Sequence, residues 1–407
     1  MNKNVFIKAK VLFGVVGWNI AETTRMIEIA KGLRDYECHF FSYGGQYERL
    51  VEQEGFTLHR LTPLEDDEKI ELLWKVDRGE AFRQPWSKAE IRERITNELA
   101  LIEELDPAFC FLGSVLTFST SCKIAKKRLY NVVPLNLSLP YIKAGLPFSP
   151  FFPRLVNKFA AWVFLHVPLL MGNMNAIQKE FGVTPSRNVL ELWTGDVNMV
   201  ADIKELSLLQ ELPKDWYFSG PLFAHLPTTI PNAAQALLSS SKRKIYFAMG
   251  SSANRSILLE ALQAFEGLDV LVIAPIEAHV NEGDVIPDNV MVTDWLPALE
   301  VLKQVDFAVT HGGQGTVQTT VMAGVPFVGI GMQPEQELNI YVYQQFGSAI
   351  LLPKKMKSFE LKQAIQRLME TPSFQTKAQQ AKELLESTNT VEIIKQIIDE
   401  DQKRTPL

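Results

Sequence analysis

Residues 291–353 read MVTDWLPALEVLKQVDFAVTHGGQGTVQTTVMAGVPFVGIGMQPEQELNIYVYQQFGSAILLP. The apolar runs FAVT (307–310) and PFVGIGM (326–332) have the composition of buried strands, and each leads into small or polar residues and then a helical pattern. In open parallel sheets, ligands bind beyond the carboxyl ends of the strands. The first run ends in His311, Gly312, Gly313, Gly315 and Thr316. Glycines let a ligand approach the backbone, and the helix that follows offers free N–H groups to an anion. His311 and Thr316 add side-chain donors. These residues suit a diphosphate, although a plain strand-to-helix turn has the same composition. Gly250–Ser251–Ser252 is a similar turn that either completes the phosphate cradle or is a simple loop. Trp295, beside Asp294 at another strand end, can stack on a flat base or fill a core. Glu335 and Gln336 can bind sugar hydroxyls, although Glu is favoured in any first helical turn.

The alternation continues on both sides. KIYFAMGSS, LDVLVIAP and NVMVTDW are further strands of the second half. In the first half, VFIKAKVLFGVV, CHFFSYG, AFCFLGS and NVVPLNLS alternate with helical patterns at Glu22–Leu33, Gln46–Gly55, 63–105 and Thr120–Leu129. Strands alternating with helices imply parallel sheets covered on both faces. From residue 211, four prolines in ELPKDWYFSGPLFAHLPTTIPNAAQ break the pattern. The expected fold is α/β, two doubly wound Rossmann-like domains facing across a cleft. An N-terminal acceptor-binding domain covers 1–215, a linker 216–240, and a donor-binding domain 241–385. A C-terminal helix in 386–407 is expected to pack back on the first domain. The last helical stretch reads as Phe374–Asp399.

The 407 residues are 46 % apolar and 22 % charged, as in soluble globular proteins of two domains. A net charge of −6 argues against a nucleic-acid partner. The short basic run Lys123, Lys126, Lys127 and Arg128 reads as a solvated helix face. The three cysteines lack CxxC spacing, which disfavours structural zinc and a disulfide framework and fits a reducing, cytoplasmic compartment. No signal peptide is read at the N-terminus. The most apolar stretch, FAAWVFLHVPLLMGN (159–173), is too short to span a bilayer. With Arg154 and Lys158 before it, a weak peripheral membrane contact is an alternative to a buried segment or an acceptor-pocket wall.

The runs TDWLPALEVL, THGGQGT, MAGVPFVGIGMQPEQELN and FGSAILL, in this order, resemble the donor-binding half of the two-domain (GT-B type) inverting glycosyltransferases. The resemblance is to the UDP- or dTDP-sugar-dependent superfamily that includes macrolide and plant secondary-metabolite enzymes. It covers about 60 residues densely and the rest of the second half loosely. The resemblance implies that Trp295 stacks on the base and that His311, Gly313, Gly315 and Thr316 hold the diphosphate. Ser251 and Ser252 would join the phosphate turn. Glu335 and Gln336 would bind the donor sugar, with Asn339 nearby. Many members carry a ribose-binding Glu eight residues after the His; here that position is Thr319. The nucleotide sugar is a co-substrate, and neither cofactor nor metal is expected.

The same resemblance implies a catalytic His at the start of the first helix and an Asp on a later strand end to orient it. In register with Thr24 and Arg25, the His position falls on Glu22, and the Asp position falls near Gly113–Ser114. Glu22 is then the general base, or it is an ordinary residue of a helix first turn. Trp18, Asn19, Ser114, Phe148 and His166 are the candidate acceptor-pocket residues, and the aromatic region 141–172 fits a small, apolar acceptor bearing a hydroxyl, phenol or carboxyl group. His39 and His59 read as structural, and His225 as a linker residue. The expected activity is inverting sugar transfer to such an acceptor. A sugar-nucleotide epimerase, which would need Asp294 or Glu277 as further acids, and a non-catalytic nucleotide-sugar-binding partner are the alternatives.

Overall fold

The computed structural model describes residues 8–77, 80–222, 229–249 and 254–404. The first sheet contains β1 (Lys10–Gly14), β2 (Glu37–Ser42), β3 (Thr57–Arg60), β4 (Phe109–Phe111), β5 (Leu129–Val133), β6 (Val197–Val200) and β7 (Trp216–Phe218). Its order is β3-β2-β1-β4-β5-β6-β7, with every pair parallel. The second contains β8 (Lys244–Ala248), β9 (Leu271–Pro275), β10 (Val290–Thr293), β11 (Phe307–Thr310), β12 (Phe327–Ile330) and β13 (Ala349–Leu352), in the order β10-β9-β8-β11-β12-β13, again all parallel. The chain is the two-lobed, doubly wound α/β protein that the strand–helix alternation predicts. Each sheet reverses direction of growth once, between β1 and β4 and between β8 and β11.

Burial explains the strands. All of β4, β5, β6, β11 and β12 is buried. Phe13 lies between Phe40 and Phe111, 4.8 Å from each ring; such pairs contribute about 0.5–1.5 kcal/mol beyond their burial. In the second lobe Ile245, Phe247, Val272, Val309 and Val328 form the equivalent core. Among the described residues no helix is long and apolar enough to cross a membrane.

Several boundaries differ from the sequence reading. The expected linker 216–240 begins with β7, the edge strand of the first sheet, and ends in the helix Asn232–Leu238, whose Ala234 and Leu238 enter the second core. Three aromatic residues in a row were enough for a strand despite the prolines around them. The helix expected at Thr120–Leu129 runs instead over Leu116–Ala125, because Lys126 adopts the left-handed conformation that closes it and Leu129 pairs with Cys110. The second helix shrinks to Arg49–Gln53, and 63–105 splits into helices Asp67–Asp77 and Lys88–Leu105. The C-terminal stretch breaks at Ser387–Asn389 into the helices Pro372–Glu386 and Thr390–Arg404. The second of these lies on the first lobe: Ile394 and Ile398 join its core, and Asp401 accepts hydrogen bonds from Arg128 Nε and Nη2 (2.8 and 2.5 Å) and the Tyr130 hydroxyl (2.7 Å). With the Lys127–Asp106 ion pair, that pairing accounts for two of the four residues of the basic run.

One carboxyl is sealed inside the first lobe. Glu98 is fully buried and accepts hydrogen bonds from the hydroxyls of Tyr43 (2.7 Å), Thr117 and Ser121 (2.5 Å each). Burial pushes its pKa from 4.5 up to about 7, against the pull of those hydroxyls and of Arg94. Because the folded value lies above the unfolded one, this group stabilises most below pH 4.5, and that contribution is lost as pH rises through about 7. The loss amounts to at most about 3 kcal/mol. Urea unfolding at the two ends of this window should show stability falling with pH in the wild type and a flatter profile in Glu98→Gln. Equal slopes would refute the account.

Candidate functional site

The loops at the two reversal points carry the polar residues. In the first lobe, β1 leads through Val15–Trp18 to Asn19, whose Oδ1 accepts from the backbone N–H groups of Ala21 (3.0 Å) and Glu22 (3.3 Å) and so caps the helix Ile20–Gly32. This cap sets Glu22 in the first turn. Its Oε2 accepts from the Ser114 hydroxyl at 2.8 Å and its Oε1 from Arg25 Nη1 at 2.8 Å. Ser114 and Gly113 both adopt left-handed backbone, φ 65° and 50°. A Cβ on Gly113 would lie 1.6 Å from the carbonyl oxygen of Gly14. The β1 and β4 loops are therefore in backbone contact, and that contact brings Ser114 to Glu22 across 92 residues of sequence.

In the second lobe, His311 follows β11 and its N–H donates to the Ala248 carbonyl at 3.2 Å. The ring is buried and its Nδ1 has no partner among the described residues. Burial pushes its pKa down to about 4, so the imidazole is neutral near pH 7. Gly313 leaves room for it, since a Cβ there would stand 2.5 Å from His311 Nε2. The helix Gln314–Met322 begins at Gly313 with no side-chain cap, so its first N–H groups face outward beside the ring. Among the described residues nothing lies within 4 Å of where a Gly315 side chain would start, and Thr316 is half-buried in the same turn. Trp295, just past β10, is 51 % exposed, so it is not the core residue that its size allowed.

The helix Pro334–Phe346 starts beside this turn. Glu335 Oε1 accepts from Asn339 Nδ2 at 2.6 Å, and Asn339 Nδ2 also reaches the Gly312 carbonyl at 3.0 Å. Gln336 Oε1 accepts from the Met332 N–H at 2.9 Å. Thr319 donates to the Gly315 carbonyl (2.7 Å), so its hydroxyl is turned back into its own helix. Ser251, Ser252 and Gly250 lie outside the described residues, as does His225.

Sequence reading overlooked the groups that join the lobes. Arg25, nearly fully buried, donates through Nη2 to Gln314 Oε1 at 2.9 Å, so the ion pair of Glu22 continues onto the first residue of the helix Gln314–Met322. Gln318 Nε2 donates to the Ala201 carbonyl (2.9 Å), and Asn136 Nδ2 reaches Asn339 Oδ1 (2.9 Å). Ser149 donates to Glu337. Arg25 and Gln314 stood inside motifs quoted for other residues, but a contact spanning 289 residues leaves no local pattern.

The acceptor-side residues do not all converge. Asn19 spends its amide oxygen on the helix cap. Trp18 packs edge-on against Trp74 at 4.9 Å, and its indole N–H is buried without a partner among the described residues. Phe148 stacks on Phe164 at 5.1 Å, next to the interlobe Ser149. His166, on its helix, lies apart from Phe148. It is exposed at the end of the helix Arg154–His166, its Nδ1 2.9 Å from the Trp162 carbonyl and its ring stacked on Trp162 at 5.4 Å. The buried side of that helix carries Asn157 and Ala161, and residue 166 falls off that line at 3.6 residues per turn. His39 and His59 contact each other (3.1 Å between ring nitrogens) and Glu37, away from the reversal point on β2 and β3.

Gly113→Ala should cost upwards of about 3 kcal/mol, because the clash is with backbone and the conformation is left-handed. Ser114→Ala, which removes one hydrogen bond, should cost about 1 kcal/mol. Denaturant midpoints check both, and similar values for the two would contradict the loop contact.

Residues 257–399 match the family model described as erythromycin biosynthesis protein CIII-like, C-terminal domain. The chain is 24 % identical over 369 residues to a PGL/p-HBAD biosynthesis glycosyltransferase of Mycobacterium tuberculosis, covering 85 % of this chain and 81 % of that one. In structure it resembles the spinosyn forosaminyltransferase SpnP with a TM-score of 0.72, at 17 % identity over 96 % of this chain and 98 % of the other. It also resembles the glycosyltransferase VinC, solved in complex with dTDP, with a TM-score of 0.67, at 16 % identity over 96 % and 98 % of the two chains.

Proposed function

We propose that this chain, a nucleotide-sugar-dependent glycosyltransferase of the macrolide and secondary-metabolite type, moves a sugar from a UDP- or dTDP-sugar to a small, apolar acceptor with inversion, using Glu22 as the base. The observation that carries the reading is the pairing of two reversal-point loops across one cleft: a carboxylate held by Ser114 on one side, and a buried neutral imidazole beside an uncapped helix on the other.

On the donor side, the exposed Trp295 offers a face for the base. The N–H groups at Gln314–Thr316, with His311, would take the diphosphate, where the helix dipole favours negative charge. A neutral imidazole can donate to a phosphate oxygen while its other nitrogen accepts. Glu335 and Gln336 would hold sugar hydroxyls. That the similarly folded VinC was solved in complex with dTDP supports a nucleoside diphosphate sugar as the donor.

In the transfer, the acceptor oxygen attacks the anomeric carbon as the bond from that carbon to the diphosphate oxygen breaks. The electron pair leaves with the diphosphate, and the acceptor proton passes to the Glu22 carboxylate. Ser114 is the positioning residue, taking the place where the superfamily has its orienting acid. Both Glu22 oxygens already accept a hydrogen bond, so the acceptor hydroxyl would share Oε2. A phenol or carboxyl acceptor asks least of such a base. Relatives named as glycosyltransferases favour transfer over epimerisation or non-catalytic binding of the same donor.

Incubation with UDP- and dTDP-sugars and a panel of phenolic acceptors, followed by mass spectrometry, tests the reading. Glu22→Gln should lower kcat by about 10²- to 10⁴-fold while donor affinity is kept. Retention of full activity would remove Glu22 from the mechanism and leave the transferase standing. Trp295→Ala should weaken nucleotide affinity by roughly tenfold, and Trp295→Phe by less; equal affinity in both variants and the wild type would discard the stacking role.

A further inference from the structure

The helix Arg154–His166 has an outer face that nothing among the described residues covers. Its buried positions are only Asn157 and Ala161. Leu155, Phe159 and Trp162 are 80 %, 66 % and 53 % exposed, and they follow one another at spacings of four and three, so they form one stripe. Phe159 and Trp162 lie with their rings nearly parallel, 6.4 Å apart. Seven of the thirteen large apolar side chains standing exposed among the described residues fall between 151 and 169. An exposed apolar cluster of this kind marks a contact surface.

Charge says what the contact is with. Arg154 and Lys158 flank the stripe, both are exposed, and among the described residues neither is paired with a carboxylate. Residues 141–179, which hold this helix, contain four Lys and Arg and not one Asp or Glu, in a chain whose net charge is −6. A protein partner of that composition would meet an apolar strip bordered by unpaired cations, and so would an anionic bilayer. The bilayer fits better, because aromatic side chains with flanking basic residues on an amphipathic helix suit the depth and charge of a headgroup layer.

We propose that this helix docks the protein on the surface of an anionic lipid bilayer, with Leu155, Phe159 and Trp162 in the headgroup boundary and Arg154 and Lys158 against the phosphates. The position has a use. Phe148 stacks on Phe164 of this helix, and the neighbouring Ser149 bonds Glu337 at the cleft. The docked face is thus continuous with the side of the cleft where an apolar acceptor would enter. The adhesion itself does not depend on the transferase reading and is measured without turnover.

Flotation with vesicles of phosphatidylcholine alone and of phosphatidylcholine mixed with phosphatidylglycerol tests it. The full-length wild type should float with the mixed vesicles and be released by high salt. Phe159→Glu with Trp162→Glu should abolish flotation while circular dichroism stays unchanged, the substituted side chains being exposed. Arg154→Glu with Lys158→Glu should weaken binding to the mixed vesicles by roughly thirtyfold. Absence of wild-type flotation, or undiminished flotation in both double variants, overturns the proposal. So does a wild-type dimer in light scattering that Phe159→Glu converts to monomer, which would assign the face to a second copy.

Discussion

Parallel strands cannot be joined by hairpins, so each connection must climb over one face of the sheet and return to the same edge. When growth of the sheet switches sides, the loops after the two central strands leave in opposite directions and open a crevice. Both sheets here obey that constraint, at β1/β4 and at β8/β11. Everything chemical in the molecule follows from where those crevices face. The first holds Glu22 and Ser114. The second holds His311 and the start of the helix Gln314–Met322. Glu22 and Ser114 lie 92 residues apart in sequence and are made adjacent by the change in the direction of strand addition, whereas His311 runs straight into its helix.

Across the cleft the two crevices are already in contact through Arg25. A guanidinium offers several donors in a fixed plane, so it can serve Glu22 with one nitrogen and Gln314 with another without compromise. Its Nε remains buried and unpartnered among the described residues. That is a cost which a rearrangement of the cleft would relieve. The lobes are joined here by Arg25, by side-chain amides and by the Ser149–Glu337 hydrogen bond, together with apolar packing in which Leu338 meets Leu135 and Tyr141, and Ile203 and Leu206 meet Val317 and Tyr343.

Much of the second lobe was legible because its strands are apolar throughout and end in glycines whose conformational needs are visible in the letters. The glycine-rich turn at His311–Thr316 could be located this way, and Trp295 stands exposed at a strand end rather than in the core. The first lobe was read less well. β3 is a four-residue edge strand, Thr57–Arg60, with no apolar run to announce it, and β7 is hidden among prolines. Glu22 could be placed by register with Thr24 and Arg25, and Ser114 by its strand end. Their hydrogen bond depended on a backbone contact between Gly14 and Gly113 that has no sequence signature. An apolar stretch does not say which face of its helix is buried, so the exposure of His166 could not be read from the sequence.

The helix Thr390–Arg404 changes how the two lobes can move. The chain passes from the first lobe toward the second after Gly220 and comes back at Thr388–Thr390, and these passages touch: the Thr390 hydroxyl donates to the Pro221 carbonyl at 2.9 Å. A Cβ on Gly220 would stand 2.4 Å from Thr388 Cγ2. Two bodies tied by one cord can swing and twist in any direction. Tied by two cords that run side by side, they keep mainly a single rotation, like a book on its spine. The cleft then has an edge that stays fixed and an edge that travels, and the Glu22 loop approaches the His311–Thr316 turn along an arc rather than by a search.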